Sequence, residues 1–380
     1  MIYLDNAATS FHKPECVAEA VVKALYSAGN SGRGNSGEAL AASRLVYDTR
    51  CRLSEMFDTW GPENVAFTSN ATEALNTAIY GVLHPEREKV HVITTEMEHN
   101  SVLRPLYVLE EKGADLTILP ADRKGRISLK ELEDSIKPDT HAIVCTHASN
   151  LTGNINDIHA IGRIAKKHKI LFIVDASQTA GVFPVSMKKD GIDILCFSGH
   201  KGLLGPQGTG AICVRPGIRV EPLKSGGSGI LTFQKEHPRE MPEALEAGTL
   251  NGHGIAGLNA ALGWLEKTGI HKIREREEML MWRFYDLVKE IPGVTIYGDF
   301  DRKERSPVVA LNLSGMGSSE VSMILDEDFG ISTRSGGHCA PLMHKALGTE
   351  KMGAVRFSFS WFNKEEEIDM AAEAIRKILA

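Results

Sequence analysis

The sequence has few cysteines and no excess of basic residues, and both shortages limit what the protein can be. Its six cysteines lie at positions 16, 51, 145, 196, 213 and 339 of 380 residues, and no two form a Cys-x-x-Cys pair. This scatter predicts neither a zinc site nor a disulfide framework, so we expect no bound metal. The formal charge of −6, from 43 basic and 49 acidic residues, disfavours nucleic acid as a partner.

Long apolar runs are also missing, which excludes a transmembrane helix from the prediction. The segment from Met1 to Asn6 meets an acidic residue at once and lacks the basic-then-apolar pattern of a signal peptide. We therefore expect a cytoplasmic protein with no membrane partner. The length of the chain suggests about two domains.

Short apolar segments alternate with amphipathic ones through the middle of the chain. Seven segments have the length and the Val/Ile content of buried strands: residues 65–68, 90–94, 116–119, 142–145, 170–174, 194–197 and 210–214. Helical patterns separate most of them, which predicts an α/β fold with a mostly parallel sheet covered on both faces. Later strands and long helices predict a smaller α+β domain at the C-terminal end.

Two residues at successive strand ends point to a cofactor. Asp175 closes one predicted strand, and Lys201 follows the next in the string Ser198-Gly199-His200-Lys201. Pyridoxal phosphate (PLP) requires a lysine that forms a Schiff base with its aldehyde and a carboxylate beside its ring nitrogen. Taken alone, such a lysine can equally be a solvated loop residue, so the prediction depends on the neighbouring segments.

Those segments supply donors for a phosphate and a flat ring. Asn70 is placed to cap a helix and to leave the amides of Ala71 and Thr72 free for an anion, with Ser198 and His200 nearby. A simple helix cap is the alternative reading of Asn70.

Three further polar residues follow other predicted strands. His99 and Asn150 each come after a strand end, and Gln178 follows Asp175. Because the carboxyl ends of parallel strands meet at one crevice, we expect these side chains to converge there. His99 would stack on the cofactor ring, and Gln178 would donate to the ring oxygen.

Nearly the whole chain, from Tyr3-Leu4-Asp5-Asn6-Ala7-Ala8-Thr9 to Val355-Arg356-Phe357-Ser358, resembles the class V, fold-type I PLP enzymes, and among them the cysteine desulfurases. Ala71-Thr72-Glu73, Met97-Glu98-His99, Asp175-Ala176-Ser177-Gln178 and Ser198-Gly199-His200-Lys201 carry the resemblance. It implies a large domain over residues 15–255 and a small one over residues 1–14 and 256–380. It also implies a homodimer in which Thr249 reaches the phosphate bound by the partner subunit.

A second motif indicates which reaction the protein catalyses. Arg334-Ser335-Gly336-Gly337-His338-Cys339-Ala340 resembles the Arg-x-Gly-x-His-Cys-Ala motif of class II desulfurases and selenocysteine lyases. The resemblance makes Cys339 the nucleophile that accepts sulfur and Arg356 the group that binds the substrate carboxylate. Two departures are Ser36, in Arg33-Gly34-Asn35-Ser36, and Gly337, since each stands where many class II members have a histidine.

The sequence therefore predicts conversion of L-cysteine to L-alanine, with a persulfide formed on Cys339 and passed to a protein acceptor that the sequence does not identify. Lys201 would move the Cα proton, His99 would assist, and Asn150, Arg356 and Ala8 would contact the substrate. Selenocysteine lyase, another class V lyase or transaminase, and a non-catalytic sulfur-relay protein are the alternatives.

Overall fold

A computed structural model describes residues 1–27, 29 and 36–380 of the protein. Its helices are α1 Glu15–Ser27, α2 Gly37–Met56, α3 Ala71–Val82, α4 Asn100–Glu111, α5 Leu129–Asp134, α6 Ile158–His168, α7 Gly252–Thr268, α8 Ile270–Val288, α9 Ser318–Phe329, α10 Pro341–Leu347 and α11 Glu365–Leu379. Its strands are β1 Ile2–Tyr3, β2 Val65–Thr68, β3 His91–Thr95, β4 Asp115–Leu119, β5 Thr140–Thr146, β6 Leu171–Asp175, β7 Ile194–Ser198, β8 Gly210–Val214, β9 Val294–Tyr297, β10 Val308–Leu313, β11 Ile331–Ser332 and β12 Val355–Ser358.

Seven strands form the large sheet, in the order β2-β8-β7-β6-β5-β3-β4. Strand β8 runs antiparallel to both of its neighbours, and the other pairs are parallel. Side chains of β6 alternate between two apolar clusters, with Phe172 in one and Ile173 in the other, because successive residues of a strand point to opposite faces. The prediction of an α/β fold with a mostly parallel seven-stranded sheet is confirmed.

A second apolar core lies under a three-stranded antiparallel sheet, β12-β10-β9. The N-terminal strand β1 pairs with β11, so the first residues of the chain join the C-terminal part. The predicted boundary after residue 255 falls inside α7, which packs against α1 and α2. The whole of α7 therefore lies with the helices that cover the large sheet.

Within the part of the chain that the structure describes, no helix combines the length and apolar character needed to cross a bilayer.

Candidate active site

A cavity of about 300 Å³ opens at the carboxyl ends of the parallel strands. Eleven of the predicted site residues line it: Ala8, Ala71, Thr72, His99, Asn150, Asp175, Gln178, Ser198, His200, Lys201 and Arg356. They come from five strand ends of the large sheet, from the N-terminal segment and from β12, so folding gathers residues that lie far apart in sequence.

Lys201 and Asp175 follow adjacent strands of the sheet. Asp175 is the last residue of β6 and Lys201 lies in the turn after β7, which pairs with β6 in parallel. The Asp175 carboxylate is fixed because its Oδ1 accepts hydrogen bonds from the amide (2.9 Å) and the hydroxyl of Ser177. Burial lowers the pKa of Lys201 to about 8, against the opposing effect of Asp175 and with help from Arg356 and Arg334. The amine is thus ready to act as a nucleophile or base near neutral pH.

His99 immediately precedes α4 and caps it. Its ring Nδ1 accepts a hydrogen bond from the Ser101 amide at 3.0 Å, which leaves the ring proton on Nε2. Burial, followed by the charge of Lys201, lowers the pKa of His99 to about 4. The ring is therefore neutral at physiological pH, as stacking on a flat cofactor requires.

Helix α3 begins at the cavity, as the sequence predicts. Asn70 caps it by accepting from the Glu73 amide at 3.0 Å, and the Thr72 hydroxyl lies 2.8 Å from that of Ser101. The expectation that the Ala71 amide is free is wrong for this structure, because that amide donates to the Ser198 hydroxyl at 2.9 Å. Hydroxyls, together with the positive end of the helix dipole, provide the setting for an anion.

Arg356 also lines the cavity and is 1% exposed. Its Nη2 pairs with Asp5 Oδ1 at 2.5 Å and its Nη1 donates to the Asn150 carbonyl at 3.0 Å, while its Nε has no hydrogen-bond partner. The Asn150 side chain donates to the His338 carbonyl at 2.7 Å, and its Oδ1 is also unpartnered. A buried polar group left unpaired costs about 1–3 kcal/mol, so these two atoms are suited to a ligand that pairs with them.

The segment from Arg334 to Cys339 is tied to the same region. Arg334 pairs with Arg356 through two backbone hydrogen bonds, of 2.8 and 3.3 Å, and the Cys339 carbonyl accepts from the Asn100 amide at 2.8 Å. His338 (φ 49°) and Cys339 (φ 55°) both lie in the left-handed region, which is uncommon for residues with side chains. His338 lines the cavity. The next residue in the sequence, Cys339, is exposed and is not one of the lining residues.

Three residues that the sequence analysis named do not line the cavity. Thr249 is exposed and does not line the cavity of its own subunit. Ser36 caps α2 by accepting from the Ala39 amide at 3.2 Å, whereas Arg33, Gly34 and Asn35 lie outside the described residues. A Cβ added at Gly337 meets no atom within 4 Å, so space alone does not exclude a larger residue there.

The cavity also contains residues that the sequence analysis did not assign to the site, notably Arg334, His338 and Ser101. Arg334 and His338 belong to the motif that contains Cys339. The motif could therefore have placed them in the site, although the sequence analysis gave them no role. Among residues 1–27, 29 and 36–380, no group of three or more His, Cys, Asp or Glu side chains is arranged to hold a metal ion.

The donor set of the cavity fits PLP. Its lining offers hydroxyls and a helix N-terminus, a partly buried amine, a fixed carboxylate, a neutral imidazole, and an arginine with an unpaired donor. The hydroxyls and the helix N-terminus suit a phosphate, the amine an aldehyde, and the carboxylate a ring nitrogen. The arginine suits the carboxylate of an amino acid.

Comparison with known proteins gives a consistent result over the whole chain. The Aminotransferase class-V family matches residues 2–370. A probable cysteine desulfurase of Methanothermobacter thermautotrophicus is 33% identical over 99% of this chain and 94% of its own length. The cysteine desulfurase IscS of Vibrio vulnificus strain YJ016 is 35% identical over 100% of this chain and 93% of its own.

Solved structures agree with the sequence relatives. The apo cysteine desulfurase of Thermococcus onnurineus NA1 superimposes with a TM-score of 0.93 at 33% identity, covering 100% of this chain and 94% of that one. The cysteine desulfurase CsdA of Escherichia coli gives a TM-score of 0.88 at 28% identity, covering 99% and 94%. With family, relatives and fold in agreement, the chain belongs to the aminotransferase class-V family and, within it, to the cysteine desulfurases.

Proposed function

We propose that the protein is a PLP-dependent cysteine desulfurase that converts L-cysteine to L-alanine and takes the sulfur onto Cys339 as a persulfide. The observation that carries the proposal is the convergence on one cavity of Lys201, Asp175, His99 and Arg356. The exposed Cys339 immediately follows a residue of the same cavity.

The residues that would hold PLP follow from their positions. Lys201 would hold the aldehyde, Asp175 the ring nitrogen, and His99 one face of the ring; Gln178 would donate to the ring oxygen. Thr72, Ser198, His200 and Thr249 of the partner subunit would hold the phosphate. When bound, PLP draws electrons from the substrate Cα and so makes its proton removable.

The protein's own side chains do the remaining work. Arg356 binds the substrate carboxylate, and Asn150 fixes that arginine through its carbonyl. Lys201, with a pKa near 8, removes the Cα proton as a base and returns it as an acid, since its two protonation states are both accessible near neutral pH. Neutral His99, which lines the cavity, carries its ring proton on Nε2.

Sulfur transfer falls to Cys339. Its thiolate attacks the substrate sulfur, a new S–S bond forms, and the Cβ–S bond breaks with its electron pair remaining on carbon, which takes up a proton. Cysteine and a thiol thus become alanine and a persulfide. The exposure of Cys339 suits it to deliver the sulfur onward to a protein acceptor.

A homodimer is part of the proposal. Large apolar side chains are exposed on both helices that pack on α7, with Leu25 and Tyr26 on α1 and Leu40 and Tyr47 on α2. An apolar surface of this kind marks an interface, and a second subunit is what Thr249 needs in order to meet a phosphate.

The test is incubation of the holoenzyme with L-cysteine and a reductant, measuring alanine and sulfide together. Both products should appear in equal amounts, and Cys339→Ala should abolish them while leaving the visible absorption of bound PLP unchanged. Cys213→Ala, which alters a buried strand cysteine, is the matched control. If the Cys339→Ala variant loses nothing with cysteine, the assigned nucleophile is wrong. If only selenocysteine is turned over, the selenocysteine lyase alternative replaces the proposal.

A further inference from the structure

We propose that Asp5 opposes the binding of the substrate carboxylate to Arg356. Its charge weakens the hold of Arg356 on amino-acid ligands, and so it sets their affinity and speeds the exchange of product for substrate. The inference rests on the proposed function in one respect, which is that Arg356 is the carboxylate anchor.

The first step is that the Asp5–Arg356 pair is built into the fold. Asp5 forms a parallel bridge with Ser358 of β12, two residues beyond Arg356. On either side, the Ser358 amide donates to the Leu4 carbonyl at 2.7 Å and the Ala7 amide to the Ser358 hydroxyl at 2.9 Å. The backbone pairing therefore holds the Asp5 carboxylate against the Arg356 guanidinium, with Oδ1 and Nη2 2.5 Å apart. This ion pair is fixed by the fold, unlike an ion pair between two mobile surface side chains.

The second step concerns charge. The Arg356 side chain is 1% exposed and that of Asp5 18% exposed, so water screens the pair poorly. A ligand carboxylate that binds Arg356 lies close to the Asp5 carboxylate, and two like charges near one site oppose each other. Arg334, Lys201 and Asp175 line the same cavity, and Asp5 is the carboxylate in direct contact with Arg356.

The third step is that Arg356 retains a donor for the ligand while Asp5 stays in place. Asp5 and Asn150 each accept from a different terminal nitrogen, and Nε remains unpaired. The substrate carboxylate therefore adds to Asp5 instead of displacing it. A purely structural role would make the loss of Asp5 weaken ligand binding, whereas repulsion between the two carboxylates makes the loss of Asp5 strengthen it.

The experiment measures ligand affinity of the holoenzyme by calorimetry for the wild type and Asp5→Asn, which keeps an acceptor oxygen and removes the charge. L-Alanine, the proposed product, is the carboxylate ligand, and ethylamine, which lacks the carboxylate, is the control ligand. We expect the alanine Kd to fall roughly threefold to tenfold, as for loss of a partly screened like charge, with ethylamine unchanged. The KM for L-cysteine should fall, and kcat should fall too because alanine leaves more slowly.

An alanine Kd that is unchanged or raised in Asp5→Asn overturns the inference, as does an equal gain for ethylamine. If the asparagine variant unfolds, Asp5→Ser gives the same neutral comparison. Arg356→Lys shows whether alanine binding depends on the guanidinium at all. Failure of the wild type to make alanine and sulfide from cysteine would sink the proposed function, whereas normal desulfuration with an unchanged alanine Kd would sink only the role of Asp5.

Discussion

The lowered pKa of Lys201 makes a quantitative prediction about how the apoprotein captures PLP. Burial moves this pKa from 10.5 to about 8. At pH 7 about a tenth of Lys201 is then neutral, against about one part in 3,000 for an ordinary lysine, a gain of about 300-fold in the reactive form. Because only the neutral amine attacks an aldehyde, the rate of capture should rise with pH and level off above about pH 8.

The assay follows the visible absorption of PLP as it binds the apoprotein in a stopped-flow instrument between pH 6 and pH 10 (a range of about two units on either side of that pKa). Borohydride trapping and peptide mass mapping identify Lys201 as the modified residue. Nα-Acetyl-lysine amide, run in parallel, cancels the titration of PLP itself. The ratio of the protein rate to the peptide rate should be flat below pH 8 and fall about tenfold per pH unit above it. A ratio that stays flat to pH 10 would refute the argument, because Lys201 would then titrate like a free lysine.

Two further predictions concern neighbouring residues. Burial raises the pKa of Glu98 to about 8, and its Oε2 has no hydrogen-bond partner. The folded state therefore keeps a proton on Glu98 that the unfolded state loses above about pH 4.5. Because of this difference, the free energy of unfolding of the wild type should fall between pH 4.5 and pH 8, by at most about 1.4 kcal/mol per pH unit. Glu98→Gln should not show this fall, so its stability relative to wild type in denaturant melts should increase from pH 5 to pH 8, and a constant difference would count against a protonated Glu98. Arg356→Lys should raise the KM for L-cysteine roughly tenfold to 100-fold, since a charge-assisted hydrogen bond is worth about 1.5–3 kcal/mol, and an unchanged KM would remove Arg356 from substrate binding.

Much of the large sheet could be predicted because most of its strand residues are buried. Val65–Thr68 and Gly210–Val214 have the predicted bounds, since a buried strand is a continuous apolar run with polar residues at its ends. Helix α6, Ile158–His168, also has clear end signals. An Asp157 cap and basic residues in its last turn mark both ends in the sequence.

Other elements lacked such signals. Strand β9, Val294–Tyr297, was not predicted, because its residues are half-buried or exposed and give no apolar run. Strand β1 has only two residues and exists through its pairing with β11, a long-range contact that no local pattern indicates.

The same distinction holds for the site. Residues that follow strands of the large sheet could be predicted together because one rule of parallel sheets places them at one edge. The pairing of Asp5 with Arg356 could not, because it depends on the N-terminal segment lying along β12. Nor does the sequence reveal that the Ala71 amide donates a hydrogen bond to the Ser198 hydroxyl, because side-chain packing sets that contact.

The most direct test of the account is the mass of the peptide that contains Cys339 after the holoenzyme reacts with L-cysteine without reductant. The account predicts that this peptide gains the mass of one sulfur atom, that one alanine forms per modified subunit in the first turnover, and that a thiol reductant removes the added sulfur. Alanine formation with an unmodified Cys339 peptide would contradict it, because sulfur would then leave the substrate without passing through this cysteine.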